Sequence, residues 1–238
     1  MNVIYLPEIP PGDITLNEEE SVHAVKVLRL KEKDPVTLVD GKGHLIEGEI
    51  ITAHPKKCRI KVLSIREEFG KRNYTLQLAV APTKNSDRME WLVEKGTEIG
   101  WDEFTPLSCR YSERKQMNIG RLEKVAVAAM KQSLKAYLPV IHEMIPFDTF
   151  VSGNFKGKKF IAHCVPGEKP HLFNLIRQNE DILVLIGPEG DFSPDEITLA
   201  KQHGFQEISL GSSRLRTETA ALAAVHTIAL CNEIRNEI

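Results

Sequence analysis

The sequence predicts an α/β protein in which a mainly parallel sheet forms the larger, C-terminal part and a small β-rich domain precedes it. Three observations carry this reading. After residue 73, strand-like apolar runs alternate with helical patterns, the arrangement of parallel strands with crossover helices. Before that point, short strand-like runs are broken by turn signals, as in a small barrel. Between the two, residues 67–73 are charged and contain Gly70, which makes them the best linker. The domains are therefore expected at 1–72 and 73–238.

The first domain can be read element by element. Residues 17–28 read as a short helix, because Val22, Val25 and Leu28 share a face. Residues 35–40 are strand-like, Asp40-Gly41 is a hairpin signal reinforced by Gly43, and 44–52 can pair back across it. His54-Pro55 ends that strand. In 58–62, Cys58, Ile60 and Val62 point one way and Arg59 and Lys61 the other.

The second domain opens with a buried strand at 74–81. A helix capped by Ser86 or Asp87 follows, with Met89, Leu92, Val93, Gly96 and Ile99 on its apolar face and Gly100 at its end. Residues 104–107 form a short strand. A helix is expected over 118–137, with Leu122, Val125, Ala126, Ala129 and Met130 inward and Pro139 closing it. A strand at 160–164 carries His163 at its C-terminal end, and 169–179 reads as a helix.

Two loops then stand out. Ile182-Leu183-Val184-Leu185-Ile186 is a continuous apolar run, suited to a strand covered on both faces. It runs into Gly187-Pro188-Glu189-Gly190-Asp191-Phe192, where the glycines permit unusual backbone angles and let a ligand lie against the main chain. Ser193 and Glu196 form a capping box with Pro194 at the first helical position, so a helix starts there and stops near His203-Gly204. The second loop, Gly211-Ser212-Ser213-Arg214-Leu215-Arg216, follows the strand-like residues 205–210 and leads to Thr217, a plausible N-cap of a long terminal helix. Both loops leave a strand and enter a helix, and ligands of α/β sheets collect at the carboxyl ends of strands.

Composition narrows the function classes. The 238 residues hold 31 Lys and Arg against 33 Asp and Glu, so there is no global electrostatic case for nucleic acid. Local charge differs: between residues 110 and 135 there are seven basic side chains (Arg110, Arg114, Lys115, Arg121, Lys124, Lys131, Lys135) and two acids. That excess, much of it on the helix expected over 118–137, suggests a phosphate-binding stripe. Four isolated cysteines without a C-x-x-C pair favour neither zinc nor a disulfide framework, and a reducing cytoplasm is the simplest home. No secretory signal or membrane-spanning stretch is expected.

The residues also carry a resemblance. Leu185-Ile186-Gly187-Pro188-Glu189-Gly190, then Phe192-Ser193 and Glu196, then Leu210-Gly211 with Leu215-Arg216-Thr217-Glu218-Thr219-Ala220, resemble the signature of the SPOUT-class RNA methyltransferases. The match is to the RsmE family, which methylates N3 of a uridine in 16S ribosomal RNA of the small subunit. The motif His23-x-x-x-Val27-Leu28-Arg29 and the stretch 84–100 are similar to the family as well. One departure is Asp191, where the family often has a third glycine.

The resemblance implies a C-terminal trefoil knot that binds S-adenosylmethionine, a PUA-like RNA-binding domain at the N-terminus, and a homodimer. It places the cofactor on His163, Leu185, Gly187, Pro188, Glu189, Gly190, Leu210, Gly211, Ser213 and Leu215. RNA is expected on Arg29, Lys84, Arg110, Arg114, Lys115 and Arg121. The donor arrives activated, so no metal is required. Arg216 is the catalytic candidate, and Glu189 and Glu218 are candidates for the base. Two other classes compete with this reading. A noncatalytic RNA-binding assembly factor retaining the fold is separated from it by cofactor binding. A Rossmann nucleotide enzyme is disfavoured, because neither G-x-G-x-x-G nor G-x-x-x-x-G-K-[ST] occurs.

Overall fold

The computed structural model describes residues 3–234; residues 1–2 and 235–238, at the outer ends of the two expected domains, lie outside the described residues. The chain packs as two compact units. One comprises the residues up to Lys71 together with Val127–Leu138, and the other comprises Arg72–Ala126 and the chain from Pro139 onward.

The first unit is built from β1 (Val3–Tyr5), β2 (Ile14–Thr15), α1 (Glu18–Val22), a π-helical turn (His23–Val27), β3 (Pro35–Val39), β4 (Leu45–Thr52) and β5 (Arg59–Arg66). Its five-stranded sheet has the order β1-β3-β4-β5-β2, with β1 parallel to β3 and the other pairs antiparallel. The expected hairpin forms between β3 and β4. Its turn is held by Asp40, whose Oδ1 accepts hydrogen bonds from the backbone N–H groups of Lys42 (2.7 Å) and His44 (3.1 Å). Ile4, Leu38, Ile46, Cys58 and Ile60 are buried together in the core of this unit.

The second unit contains β6 (Leu76–Val80), α2 (Ser86–Ile99), β7 (Glu103–Ser108), most of α3 (Ile119–Gln132), β8 (Val140–Ile141), β9 (Ile145–Pro146), α4 (Phe147–Val151), β10 (Lys158–Ala162), α5 (Leu172–Leu175), β11 (Ile182–Ile186), α6 (Pro194–Gln202), β12 (Gln206–Ile208) and α7 (Thr217–Ile234). The sheet order is β12-β10-β11-β6-β7-β8, with β9 also on β7, and every pairing is parallel. The expected parallel α/β architecture is thus present.

β11 sits inside this sheet between β10 and β6, which explains its unbroken apolar sequence. Leu183 and Leu185 pack with Phe192, Ile197 of α6 and Phe147 of α4. Ile182, Val184 and Ile186 alternate to the opposite face and are also buried, where α7 packs against β6 and β11. Each such aliphatic side chain contributes roughly 1.5–3 kcal/mol on burial.

Four local expectations are corrected. The helix over 17–28 is one α-turn, capped by Asn17, followed by a π-helical turn; Arg29 ends it in the left-handed region at φ 58°. The N-cap of α2 is Asn85, whose side chain accepts from the Asp87 N–H, and not Ser86 or Asp87. The helix over 118–137 stops at Gln132, because Leu134 turns left-handed at φ 56° and the Lys135 N–H returns to the Met130 carbonyl. The helix over 169–179 is a single turn. Lys158 Nζ takes the Leu175 carbonyl at 2.6 Å, and Asn179, at φ 59°, is held through its N–H by the Asn232 side chain at 2.9 Å. Contacts distant in sequence override helix propensity there. Among the described residues no helix is long and apolar enough to cross a membrane.

Candidate active site

β10, β11 and β12 end level. Ala162 is the register partner of both Ile186 and Ile208, and all three are the last residues of their parallel strands. Just beyond this floor lies a cleft of about 980 Å³ walled by the three following loops, 163–169, 187–191 and 209–216, with Arg88 and Ala220 completing it. It occupies the carboxyl ends of the strands, the position ligands take in open α/β sheets.

The loop after β11 is fixed from several sides. Gly187 is buried, and a Cβ there would stand 3.1 Å from the Phe192 nitrogen, so a larger residue would crowd the tight turn. Asp191 adopts φ 67°, a left-handed conformation that Asp and Asn enter more readily than other side chains. Its carboxylate accepts from the Cys164 N–H and the Phe192 N–H, both at 2.8 Å, so the carboxylate ties the loop after β11 to the loop after β10. This accounts for an acid where a glycine is common. Glu189 is exposed, and its Oε1 accepts from the Lys84 N–H at 3.0 Å. The capping box of Ser193 and Glu196 starts α6 as expected, and Glu196 also accepts from the Arg110 N–H at 2.8 Å.

The loop after β12 enters α7 differently from the expectation. Thr217 is the first helical residue and not an N-cap. Its Oγ1 donates to the Gly187 carbonyl at 3.0 Å and so fastens one loop to the other. Arg214 and Arg216 are exposed, and neither makes a side-chain hydrogen bond or ion pair among the described residues. Glu218 is 7% exposed, does not line the cleft, and lies 3.7 Å from Arg88 Nε, while its Oε2 has no hydrogen-bond partner.

His163 lies just past β10 with its ring buried; Nε2 is 2.9 Å from Glu207, which also pairs with Lys201. Burial, together with the Lys169 cation, holds its pKa below the usual imidazole value against the pull of Glu207 and Asp191. The neutral ring therefore donates from Nε2, and Lys169 Nζ approaches Nδ1 at 3.4 Å.

Of the expected cofactor residues, the cleft gathers His163, Gly187, Pro188, Glu189, Leu210, Gly211, Ser213 and Leu215, with the catalytic candidate Arg216. Leu185 is not on its wall; strand alternation sends it into the core beneath α6 and leaves Ile186 at the floor. Gly190 is off the wall too and meets Tyr111 instead. Arg88, Lys169 and Ile208 line the cleft without having been anticipated. No local motif marks them, since pairs such as Arg88 with Glu218 join distant parts of the chain.

The expected RNA residues are not all free cations. Lys84 pairs with Glu113 at 3.0 Å, Arg110 with Asp195 at 3.1 Å and Arg121 with Glu90 at 2.5 Å. Arg114 donates to the carbonyls of Thr83 (3.1 Å) and Lys84 (2.6 Å). Lys115 and Arg29 are exposed and have no side-chain partner among the described residues; Arg29 belongs to the first unit.

Comparison with known proteins adds the following. A model of the RNA methyltransferase domain matches residues 71–229, and one of the RNA methyltransferase PUA domain matches residues 16–63. Ribosomal RNA small subunit methyltransferase E of Rickettsia conorii is 34% identical over 236 residues, covering 93% of each chain. The crystal structure of a "probable rRNA-methyltransferase" from Porphyromonas gingivalis is 39% identical with a TM-score of 0.91, covering 99% of this chain and 100% of the other. A Legionella pneumophila protein, solved in complex with the bound cofactor SAM, is 29% identical with a TM-score of 0.86 and covers 97% of both chains.

Proposed function

We propose, because the chain belongs to the RNA methyltransferase family whose domain model spans residues 71–229, that it methylates N3 of a uridine in 16S ribosomal RNA of the small subunit, with S-adenosylmethionine as donor. The observation that carries this is the cleft itself. Two glycine loops stand at the level ends of three parallel strands, and the unpaired guanidinium of Arg216 lines the same cleft. The names and bound ligand of the Rickettsia and Legionella relatives point the same way.

The residues fit the donor. Its adenosyl part needs an apolar slot with main-chain partners, which Ile186, Leu210, Leu215 and the backbone of 209–213 provide, and Gly187 and Gly211 place no side chain in the way. When bound, S-adenosylmethionine supplies a methyl group on a positively charged sulfonium. Arg216, being positive, is unsuited to that sulfonium and suited to the uracil. Loss of the N3 proton spreads negative charge onto O2 and O4, and a planar guanidinium fork matches such an anion. Glu189 is the base in this reading. One carboxylate oxygen is occupied by the Lys84 N–H, and the other has no protein partner among the described residues and can accept the N3 proton. Glu218, buried and paired with Arg88, orients that second guanidinium at the cleft and does not meet substrate.

The wider assignment follows the same reading. The trefoil knot that the resemblance to the SPOUT class implies would contain the segment 209–217, which Thr217 fastens to Gly187. The first unit serves as the PUA-like RNA-binding domain, and the enzyme acts as a cytoplasmic homodimer. The assignment is tested by incubating the purified chain with labelled S-adenosylmethionine and unmodified small ribosomal subunits. Nucleoside mass spectrometry should find the label in 3-methyluridine. Absence of incorporation, or label in another nucleoside, refutes it.

A further inference from the structure

Tyr111 is a large aromatic residue left 48% exposed within a hydrogen-bonded turn. The turn is 109–112. The Ser112 N–H donates to the Cys109 carbonyl at 3.1 Å, and the Ser112 hydroxyl accepts from the Cys109 N–H at 3.0 Å; both residues are buried. The tyrosine therefore stands on a fixed base. That base rests on the loop after β11: a Cβ placed on Gly190 would come within 3.2 Å of Tyr111 Cβ. A side chain at Gly190 would therefore crowd the stem of Tyr111, and its neighbours Glu189 and Asp191 both line the cleft. The hydroxyl of Tyr111 makes no hydrogen bond among the described residues.

The surroundings are those of a nucleic-acid rim. The Arg110 guanidinium lies 6.0 Å from the Tyr111 ring centroid, and Arg110 is held by Asp195. Arg114, three residues after Tyr111, grips the carbonyls of Thr83 and Lys84, and Lys84 in turn binds Glu189 through its N–H. Arg114 is thus tied through Lys84 to Glu189 of the cleft, and the Tyr111 ring stands beside them with Arg110 over it.

We propose that Tyr111 is a stacking platform for a nucleobase flanking the target nucleotide, and so a positioning residue for the RNA. This rests on the methyltransferase reading above. A base displaced from its neighbours loses stacking, and an aromatic side chain restores it without reading sequence, whereas Arg110 supplies charge to the adjoining phosphate. The ring acts at the rim, outside the methyl-donor cleft, which its side chain does not line.

The test uses the full chain, unmodified small ribosomal subunits and three proteins: wild type, Tyr111→Phe and Tyr111→Ala. Alanine keeps the Cβ that touches Gly190, so the loop retains its support while the ring is removed. The expected result for Tyr111→Ala is a KM for subunits raised about tenfold, in line with the loss of one stacked base. Its kcat at saturating subunits and its calorimetric affinity for S-adenosylmethionine should match wild type. Tyr111→Phe should stay within about twofold of wild type throughout, because stacking needs the ring and not the hydroxyl. An unchanged KM in Tyr111→Ala, a loss in Tyr111→Phe equal to that in Tyr111→Ala, or a fall in cofactor affinity would overturn the proposal. Failure of the wild-type protein to methylate subunits would instead strike the methyltransferase reading itself.

Discussion

Arg216 stands exposed beside the cleft with no carboxylate to hold it, so its charge is available to a ligand. An arginine that merely anchored its loop would be paired within the protein. Replacing Arg216 by Ala should leave S-adenosylmethionine affinity intact and reduce the single-turnover rate by about 10²–10³-fold, the cost of losing a donor aimed at developing charge. Lysine should restore little, because a point charge lacks the planar fork. His163 yields a second prediction at this scale. Its pKa is lowered in the folded protein by burial first and by Lys169 next, so the unfolded chain takes up a proton before the folded one does. The stability it contributes is present above the unfolded value of about 6.5 and is lost as pH falls below that towards the folded value. Thermal melts should show a decline below pH 6.5 that is shallower in His163→Gln; an equal slope in both proteins would assign the decline to other groups.

Elements divide into those whose determinants are local and those fixed by distant contacts. The capping box at Ser193, the helix stop at Gly100 and the doubly buried β11 are written in neighbouring residues, and they were legible in the sequence. The single turn of α5 was not, because Lys158 and Asn232 set it from elsewhere in the chain. The same division runs through the site. The two glycine loops announce themselves, whereas Arg88 reaches the cleft only through a buried carboxylate on α7. The side chain that ends at the floor is that of Ile186 and not that of Leu185, and a continuous apolar run does not say which of the two it will be. Two predictions belong here. Ser193→Ala should destabilise the protein by about 1 kcal/mol, as N-cap losses do, read as a lowered melting temperature. Thr217→Val removes the bond from Oγ1 to the buried Gly187 carbonyl and should cost about 1 kcal/mol. It should also weaken S-adenosylmethionine binding, because that bond fastens the two loops proposed to hold the cofactor; unchanged calorimetric affinity would separate the bond from the cofactor site.

For the whole molecule, a net charge of −2 means that RNA affinity must come from local patches. Most of the cations concerned already have partners, but exposed ion pairs are worth only about 0–1 kcal/mol and can be exchanged for phosphate. Replacing Lys115, Arg121 and Lys124 together by Gln should reduce the dependence of log K on log salt by roughly 0.7–0.9 for each phosphate that these side chains engage. An unaltered slope would leave these side chains as a solvated face. The proposed homodimer receives no special support from the alanines of α7, since Ala221 and Ala224 are already buried within the chain. Light scattering at micromolar concentration decides it, and a monomer would remove the partner subunit from the account. The central claim, that this cleft methylates N3 of a uridine with Arg216 in the chemistry, is tested most directly in cells. Mass spectrometry of 16S ribosomal RNA should show that deleting the gene removes one 3-methyluridine, that the wild-type gene restores it, and that Arg216→Ala does not. Retention of that nucleoside in the deletion strain, or its full restoration by Arg216→Ala, would contradict the claim.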